Sequence, residues 1–394
     1  MRIKKLTISI LAILLNTIIY SQSNIDIVLD SIEQNNTTLK SLSAKFDAQK
    51  IQNSTLKNLS ELEIGFNYLW GNPNEIGNRT DFSVAQSFDI ATLTGMKGNM
   101  VDEQNNLIEW QYKAERMNIL LEAKQYLIEL IYYNALHQEL LLRLQHAQII
   151  ENSVKQQFDN GDANVLEYNK AKLNLSLVEG DISSINVERN AILEQLKRLN
   201  GGNNISVEDS SFIQPTIPLN FEDWFLIAEQ KNPILAYVKQ TVEVSKKQVS
   251  INKAQNLPEF SVGYMSEKVV GQRYQGITTG VSIPLWTNKN KVKQAEAEVL
   301  AAEKNVIDRK QQFYAQLQLQ FNRTIGLLQN AQQYRNSLET ANNTDLLKKA
   351  LDAGQISILD YIVEIGLYYE VLNRTLEAER DYQKALAELT AVDL

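Results

Sequence analysis

The chain has 394 residues, a formal net charge of −8 at pH 7 and no cysteine. An acidic chain is a poor partner for nucleic acid, and one without cysteine holds no disulfide, no thiolate-bound metal and no lipid on an N-terminal cysteine. The two histidines, His137 and His146, are nine residues apart and do not share a helix face at ligand spacing. We therefore expect neither a metal nor a cofactor.

The first 21 residues predict a secretory signal peptide. Three basic residues precede an apolar run at positions 6–20, and a small residue, Ser21, follows the run. The alternative is an N-terminal membrane anchor, but the run is shorter than the ~20 residues that a spanning helix needs. We therefore expect residues 1–21 to be removed from the mature chain.

The next segments change from helical to strand periodicity. Residues 25–58 carry apolar side chains at spacings of three, four and seven, which predicts a helix. The period then becomes two, so strands are predicted at about 60–70 and 81–90, joined as a hairpin. Alternation gives this hairpin one apolar face and one polar or small face. The apolar face includes Phe66, Tyr68, Phe82 and Val84.

Residues 97–158 predict one very long helix. Apolar residues recur there at steps of three and four, and the stretch contains no proline. At 1.5 Å per residue a helix of some 60 residues would be ~90 Å long, so neighbouring helices must support it as in a coiled coil. A tight turn follows, and a return helix over about 164–199 ends at Gly201.

The turn at 158–168 (FDNGDANVLEY) recurs in altered form at 351–361 (LDAGQISILDY). In each copy a glycine, Gly161 or Gly354, can take the left-handed conformation that ends a helix. An N-cap residue and an acidic residue follow at steps of three, which is the pattern of a capping box. Together with a leucine between them, the motif residues of the two copies are Asn164, Leu166 and Glu167 and then Ser357, Leu359 and Asp360.

Other short matches occur in the same order and at nearly the same offset. For example, EQNNTTL at 33–39 resembles EQKNPIL at 229–235. Four local matches in register argue for a duplicated chain, although no single one would be convincing. The mature chain then divides into a first repeat at 22–200, a polar linker with Gly and Pro at 201–220, and a second repeat at 221–394.

The second repeat predicts the same helix and hairpin as the first. A helix spans about 221–256, with Pro233 near its start or at a break. Strands are predicted at about 258–267 and 277–286, again with one apolar face. That face includes Phe260, Val262, Val281 and Ile283.

A second long helix is predicted at about 288–351, followed by a last helix from Ser357 to the end. Residues 314–321 (YAQLQLQF) also alternate like a strand. The surrounding helical period and the equivalence of the two repeats favour a helix there.

The two hairpins are the predicted elements that are least stable by themselves. Isolated hairpins with one apolar face are marginal in water, and their open edges invite aggregation. Both difficulties disappear if strands from several chains close into one barrel. Strands of about ten residues with apolar and polar faces fit a wall between lipid and a wet lumen. A soluble sandwich, or separate hairpins on a helical scaffold, is the competing interpretation.

These features resemble the TolC-like outer membrane efflux proteins, the trimeric channel-tunnels of Gram-negative tripartite exporters. The resemblance covers essentially the whole mature chain. It is carried by the duplicated plan, by AEQKNPIL (228–235), LPEFSVGY (257–264) and GVSIPLW (280–286), and by the two glycine turns. It implies a mostly α chain with a small β part. It also implies a homotrimer with a twelve-stranded outer-membrane β-barrel, continued by a periplasmic α-helical barrel.

The function implied by this resemblance is that of a passive exit duct for efflux or secretion in the outer membrane. The implied partners are an inner-membrane pump, a periplasmic adaptor and outer-membrane lipid. The alternative is a soluble periplasmic coiled-coil adaptor or scaffold, although adaptors normally carry one helical hairpin between β-rich modules. The sequence has no Gly-rich phosphate loop, Ser/His/Asp set or metal cluster, so we do not expect an enzyme.

In the family the two capped turns form the periplasmic tip, where the helices close the entrance and meet the adaptor. Glu167 and Asp360 would either ring a narrow aperture and favour cations, or only cap their own helices. Some members hold the entrance shut with a basic residue two positions after the tip glycine, paired to an acid. Here those positions are Ala163 and Ile356, and a second aspartate of some members is replaced by Val363.

Overall fold

The computed structural model describes residues 24–213 and 217–394, and the predicted signal peptide lies outside them. The described chain is mostly helical, with one small antiparallel sheet. It forms two compact units, which comprise residues 24–37, 119–213 and 323–388 in the first and residues 38–118, 217–322 and 389–394 in the second.

The element order repeats in the two halves of the chain, as the duplication predicts. The first half contains α1 (Asn24–Asn35), α2 (Thr37–Ser54), β1 (Leu62–Leu69), β2 (Arg79–Phe88), the single turn α3 (Ile90–Leu93), α4 (Met96–Asn160) and α5 (Val165–Leu199). The second half contains α6 (Phe221–Lys231), α7 (Pro233–Ala254), β3 (Glu259–Val269), β4 (Gln272–Ser282), α8 (Lys291–Thr340), α9 (Thr344–Asp352) and α10 (Ile358–Leu389).

The helix predicted at 25–58 is in fact two helices, because the chain breaks at Asn36. The buried Asn36 side chain donates from Nδ2 to the carbonyl oxygen of Leu199, at 2.8 Å. The equivalent residue of the second repeat, Asn232, accepts from two backbone N–H groups in the first turn of α7, at 2.8 and 3.0 Å. Pro233 follows at the first helical position, so the predicted break is confirmed there.

The long helix α4 is continuous from Met96 to Asn160, as predicted. In the first unit its apolar stripe is buried against α10 in a cluster of Tyr132, Ala135, Leu136, Leu140 and Leu376. Residues 314–321 lie within α8, so the helical interpretation of that ambiguous stretch is confirmed.

The helix predicted at 288–351 is interrupted at residues 341–343, between α8 and α9. There is no proline at this break. Asn342 Oδ1 instead accepts hydrogen bonds from the backbone N–H and the hydroxyl of Thr344, at 3.2 and 2.7 Å. An asparagine side chain thus competes with the helical backbone bonds, which apolar periodicity does not report.

All four strands form a single antiparallel sheet in the second unit, in the order β1-β2-β3-β4. The first hairpin lies close to the predicted residues. Pairing of β2 with β3 joins the hairpins of the two repeats in one sheet. The outer strands β1 and β4 each keep one edge without a partner strand in this sheet.

The second hairpin differs from the strands predicted at 258–267 and 277–286. Only Val270 and Gly271 lie between β3 and β4, with φ of 45° and 82°. Two positive φ values are what a two-residue hairpin turn requires. Charged residues such as Lys268 and Arg273 interrupt the apolar alternation there, so periodicity predicts shorter strands. Since β4 ends at Ser282, the prediction that Ile283 is a strand residue is wrong.

Candidate functional site

Gly161 and Gly354 end their helices in the left-handed conformation, as predicted. Their φ angles are +83° and +66°, and their N–H groups bond carbonyl oxygens three residues earlier, both at 3.0 Å. A Cβ added to either glycine would meet no atom within 4 Å. Backbone conformation, rather than lack of space, is therefore what favours glycine at both turns.

Each turn is followed by a reciprocal capping box. Asn164 Oδ1 accepts from the N–H groups of Leu166 and Glu167 at 2.9 and 3.0 Å, and Glu167 Oε2 accepts from the Asn164 N–H at 3.0 Å. In the second copy Ser357 Oγ accepts from the Asp360 N–H at 3.1 Å. The Asp360 carboxylate accepts from the Ser357 N–H at 3.2 Å and from its hydroxyl at 2.7 Å. The hydrogen bonds from Ser357 lower the pKa of Asp360.

The two turns, 193 residues apart in sequence, share one apolar cluster in the first unit. Its buried members are Ile150, Val154, Ala171, Tyr361 and Ile365. Ala163 and Ile356, the residues two positions after each glycine, pack against this cluster. The Phe158 ring stacks on Tyr168, with 5.4 Å between centroids. The cluster therefore holds the two turns together without an ionic pair at those positions.

The leucines of the two motifs differ in exposure. Leu166 is 69% exposed, whereas Leu359 is partly buried. Leu173 and Leu177 of α5 are also exposed, and steps of seven and four place them on the same helix face as Leu166. This exposed leucine face (Leu166, Leu173 and Leu177) begins at the first turn of α5.

A buried arginine in the first unit was not predicted from the sequence. Arg143 lies over the Tyr369 ring, with its guanidinium carbon 4.3 Å from the ring centroid, and donates to Asn373 Oδ1 at 2.8 Å. Its buried Nε has no hydrogen-bond partner in the described part of the chain. Burial lowers the pKa of Arg143 and raises that of Tyr369 to about 12. His146 Nδ1 lies 3.1 Å from the Tyr369 hydroxyl, so this histidine contacts a tyrosine.

The strand register brings the apolar residues of all four strands onto one face of the sheet. Phe66 lies opposite Phe82, Val84 opposite Tyr264, and Phe260 opposite Val281. Opposed residues of antiparallel strands project to the same side. The predicted members that share this apolar face are Phe66, Tyr68, Phe82, Val84, Phe260, Val262 and Val281. Most of the face is open to solvent, and Phe66 is 67% exposed.

The opposite face of the sheet is polar and closely packed. A Cβ on Gly263 would lie 2.4 Å from the carbonyl oxygen of Val84, so the neighbouring strand approaches too closely for a larger residue. Near the end of the sheet, Arg79 Nε bonds the buried Asp81 at 2.8 Å and lies 3.2 Å from Glu267. Arg79 is therefore paired with carboxylates on this face.

A basic pair on the apolar face was also not predicted from the sequence. Lys268 and Arg273 lie opposite each other at the end of the sheet remote from the helices, in one row with Thr80 and Tyr68. Arg273 Nε donates to Ser266 Oγ at 3.0 Å. Neither basic residue lies within the strands predicted at 258–267 and 277–286. A correct turn at residues 270 and 271 would have put them on the apolar face.

Two further properties concern the described residues only. Between residues 24 and 213 and from 217 onward, no helix combines the length and the apolar character that crossing a membrane requires. The same residues contain no group of three or more His, Asp or Glu side chains that could hold a metal ion.

Comparison with known proteins gives one curated relative, and no family model matches the chain. The alkaline protease secretion protein AprF of Pseudomonas aeruginosa is 22% identical over 254 residues, which are 60% of this chain and 53% of that protein. The chain thus matches about half of the length of this relative.

Solved structures show a likeness over nearly the whole chain. A membrane protein from Pseudomonas aeruginosa has a TM-score of 0.73 at 14% identity, covering 94% of this chain and 93% of that one. The CmeC outer membrane channel of Campylobacter jejuni has the same TM-score and identity, covering 94% of this chain and 85% of that one. The chain therefore has the fold shared by these two proteins, and the expected mostly α chain with a small β part is confirmed.

Proposed function

We propose that this chain, which has the fold of the TolC-like outer membrane channels, is the exit duct of a tripartite efflux or secretion system. Its location would be the outer membrane of a Gram-negative bacterium. The observation that carries the proposal is the exposed apolar face, which runs in register across four strands whose two outer edges are open. Such a face is unfavourable in water and suited to lipid.

The open edges support closure by further copies of the chain. Pairing of β4 in one copy with β1 in the next would remove every edge, and three copies would give twelve strands. The number three follows from the family resemblance. The polar and small face, with Gly263 and the paired Arg79, would line the lumen, while the helices would continue as a periplasmic α-helical barrel.

The two capped turns would form the periplasmic tip. The exposed leucine face that begins at Leu166 supports contact with another protein, and a periplasmic adaptor is the proposed partner. The carboxylates of Glu167 and Asp360 bond the starts of their own helices, which supports a capping role over a free ring of charge. An inner-membrane pump would supply the energy, and we propose no catalytic activity for this chain.

The alternative of a soluble periplasmic adaptor is less well supported. An adaptor would have one helical hairpin between β-rich modules. This chain has a helical hairpin in each repeat and one sheet to which both repeats contribute. The likeness to outer membrane channels and the secretion role in the name of AprF both favour a duct.

Disulfide cross-linking tests directly whether β4 of one copy pairs with β1 of the next. The chain has no cysteine of its own, so only the introduced cysteines can form a disulfide. Within one chain β1 and β4 are separated by two strands, or roughly 14 Å at ~4.8 Å per strand, which exceeds the ~7 Å Cα limit for a disulfide. Asn67→Cys on β1 would be combined in turn with Tyr274→Cys, Thr278→Cys or Ser282→Cys on β4. The readout is oxidised oligomer on a denaturing gel of outer-membrane fractions.

At least one of these combinations should give covalently linked dimers and trimers. The matched control is Glu63→Cys with Ala85→Cys, which are cross-strand partners in one chain and should link without changing the oligomer. A chain that fractionates as a soluble periplasmic monomer, with none of the β1–β4 combinations linking, would contradict the proposed function.

A further inference from the structure

We propose that Lys268 and Arg273 bind the phosphate of a lipid headgroup at the outer rim of the apolar face. The inference rests on the proposed function, because it requires this face to lie in a membrane. The two side chains oppose each other in the β3–β4 register, one pair before the turn at Val270 and Gly271. Both are exposed.

The charges of this pair are not balanced within the described residues. Side chains of opposed residues start only ~4.5–5.5 Å apart, and like charges at that distance destabilise a sheet. On the other face the carboxylates of Asp81 and Glu267 neutralise Arg79. No carboxylate forms an ion pair with Lys268 or Arg273 in the part of the chain that the structure describes. An anion bound between them would remove the repulsion.

The position of the pair matches the edge of a hydrocarbon layer. From Lys268 to Phe260 the strand advances ~27 Å, or roughly 20 Å along the normal at a tilt of ~40°. The rows between them on this face carry mostly apolar side chains, such as Tyr264, Val262 and Ile277. All four strands join their helices at the Phe260 end, so periplasmic helices would put the basic pair in the outer leaflet. Long basic side chains at such an edge reach into the headgroups.

The geometry of the pair suits a phosphate. The hydrogen bond from Nε to Ser266 Oγ fixes the Arg273 side chain and leaves its terminal nitrogens for a bidentate contact with phosphate oxygens. Lys268 adds a point charge across the strand, and the Thr80 hydroxyl lies in the same row. A free phosphate offers the same oxygens, but the apolar rows below the pair suit the acyl chains of a lipid.

The test uses the full assembled protein purified in detergent and three probes. These are dioctanoyl phosphatidic acid, dioctanoylglycerol as the same lipid without phosphate, and inorganic phosphate. Apparent Kd would be measured by native mass spectrometry or by the shift in thermal unfolding. We expect phosphatidic acid to bind in preference to both other probes. The double variant Lys268→Gln with Arg273→Gln should weaken this binding by about 10-fold or more.

Two further variants separate binding from folding. Lys40→Gln with Lys304→Gln removes the same charge from exposed helix positions and should leave the Kd unchanged. Lys268→Arg should retain binding. Unchanged lipid binding by the double variant, or equal affinity for inorganic phosphate, would overturn the inference. A soluble periplasmic location would instead defeat the proposed duct, which fractionation detects independently of lipid binding.

Discussion

Asn36 and Asn232 occupy equivalent positions of the two repeats, and each lies buried at a break between consecutive helices. The Asn36 side chain donates to the carbonyl oxygen of Leu199, at the end of α5, and Asn232 Oδ1 accepts from the first turn of α7. A buried asparagine and a helix break thus occur at the same position of both repeats.

Both asparagines should matter for stability. Asn232→Ala removes an N-cap and is expected to lower the free energy of unfolding by ~1 kcal/mol. Asn36→Ala leaves the buried Leu199 carbonyl without this donor and should cost about 1–3 kcal/mol. Thermal unfolding, monitored by circular dichroism, tests whether Asn36→Ala destabilises the protein more than Asn232→Ala. Asn152→Ala, at an exposed position of α4, should be neutral or slightly stabilising. Equal unfolding of all three variants would contradict a role for the breaks.

Gly354→Val should disturb the second turn through its backbone alone. The glycine has φ of +66° with open space around it, so a side chain costs roughly 1–2 kcal/mol in conformation and more when β-branched. We expect faster hydrogen exchange at the turn and reduced export in cells. Gly366→Ala is the control, because this helical glycine has space for a methyl group and alanine favours helix. Full export by Gly354→Val would count against the turn as the working tip.

Arginine on the apolar face should block membrane insertion according to depth. Ile64 lies in the central row, whereas Phe66 and Val281 lie nearer the ends. Arginine should cost ~2–4 kcal/mol at the bilayer centre and ~0–1 kcal/mol near the interfaces, so Ile64→Arg should insert worst. The amount of assembled protein in outer-membrane fractions measures this. Asn67→Arg, on the polar face, should insert normally, and the reverse result would invert the face assignment.

The cap of α10 should weaken in acid. The pKa of Asp360 is lowered by its bonds with Ser357, so its stabilisation is present above the ordinary aspartate pKa. It is lost as pH falls below about 4, through the depressed folded-state value. Hydrogen exchange in the first turn of α10, corrected for intrinsic rates, should approach that of Asp360→Asn at low pH. At neutral pH the variant should exchange faster than the parent. Asp162→Asn serves as the control at an exposed residue of the other turn.

Val270→Asn should stabilise the second hairpin. A β-branched residue at φ of 45° is strained, and asparagine before Gly271 suits this turn. We expect the free energy of unfolding to rise by ~1 kcal/mol, because the left-handed backbone conformation costs about that much for residues other than glycine and asparagine. Val269→Asn, one residue earlier in regular β3, should not stabilise. The midpoint of unfolding of the two variants, compared in the same detergent, decides between them.

Much of the fold follows from local patterns in the chain. The glycine turns and their capping boxes depend on residues within a few positions, and they occur where the spacing of Gly161, Asn164 and Glu167 predicts. The alternation in the first hairpin is equally local. These elements need no distant partner to be recognised.

The remaining features depend on side-chain contacts or backbone conformations that apolar periodicity does not report. The break at Asn36 depends on the distant Leu199, and the break before Thr344 on an asparagine side chain without any proline. The hairpin turn uses Val270 in a conformation that valine rarely adopts. From the sequence, Arg143 would be interpreted as a solvated helix residue. The structure shows that it is buried against the Tyr369 ring. A contact with a residue distant in sequence is involved at Asn36 and Arg143, whereas the break before Thr344 and the turn at Val270 are local features.

The interruption between α8 and α9 distinguishes the long helical segment of the second repeat from that of the first. Its counterpart in the first half, α4, is an unbroken rod from Met96 to Asn160. A continuous helix resists bending along its whole length. An interrupted helix bends most easily at the interruption, because the regular helical hydrogen bonds are lost there. The long helices of the two repeats therefore differ in continuity, and bending stress on the second would concentrate at residues 341–343.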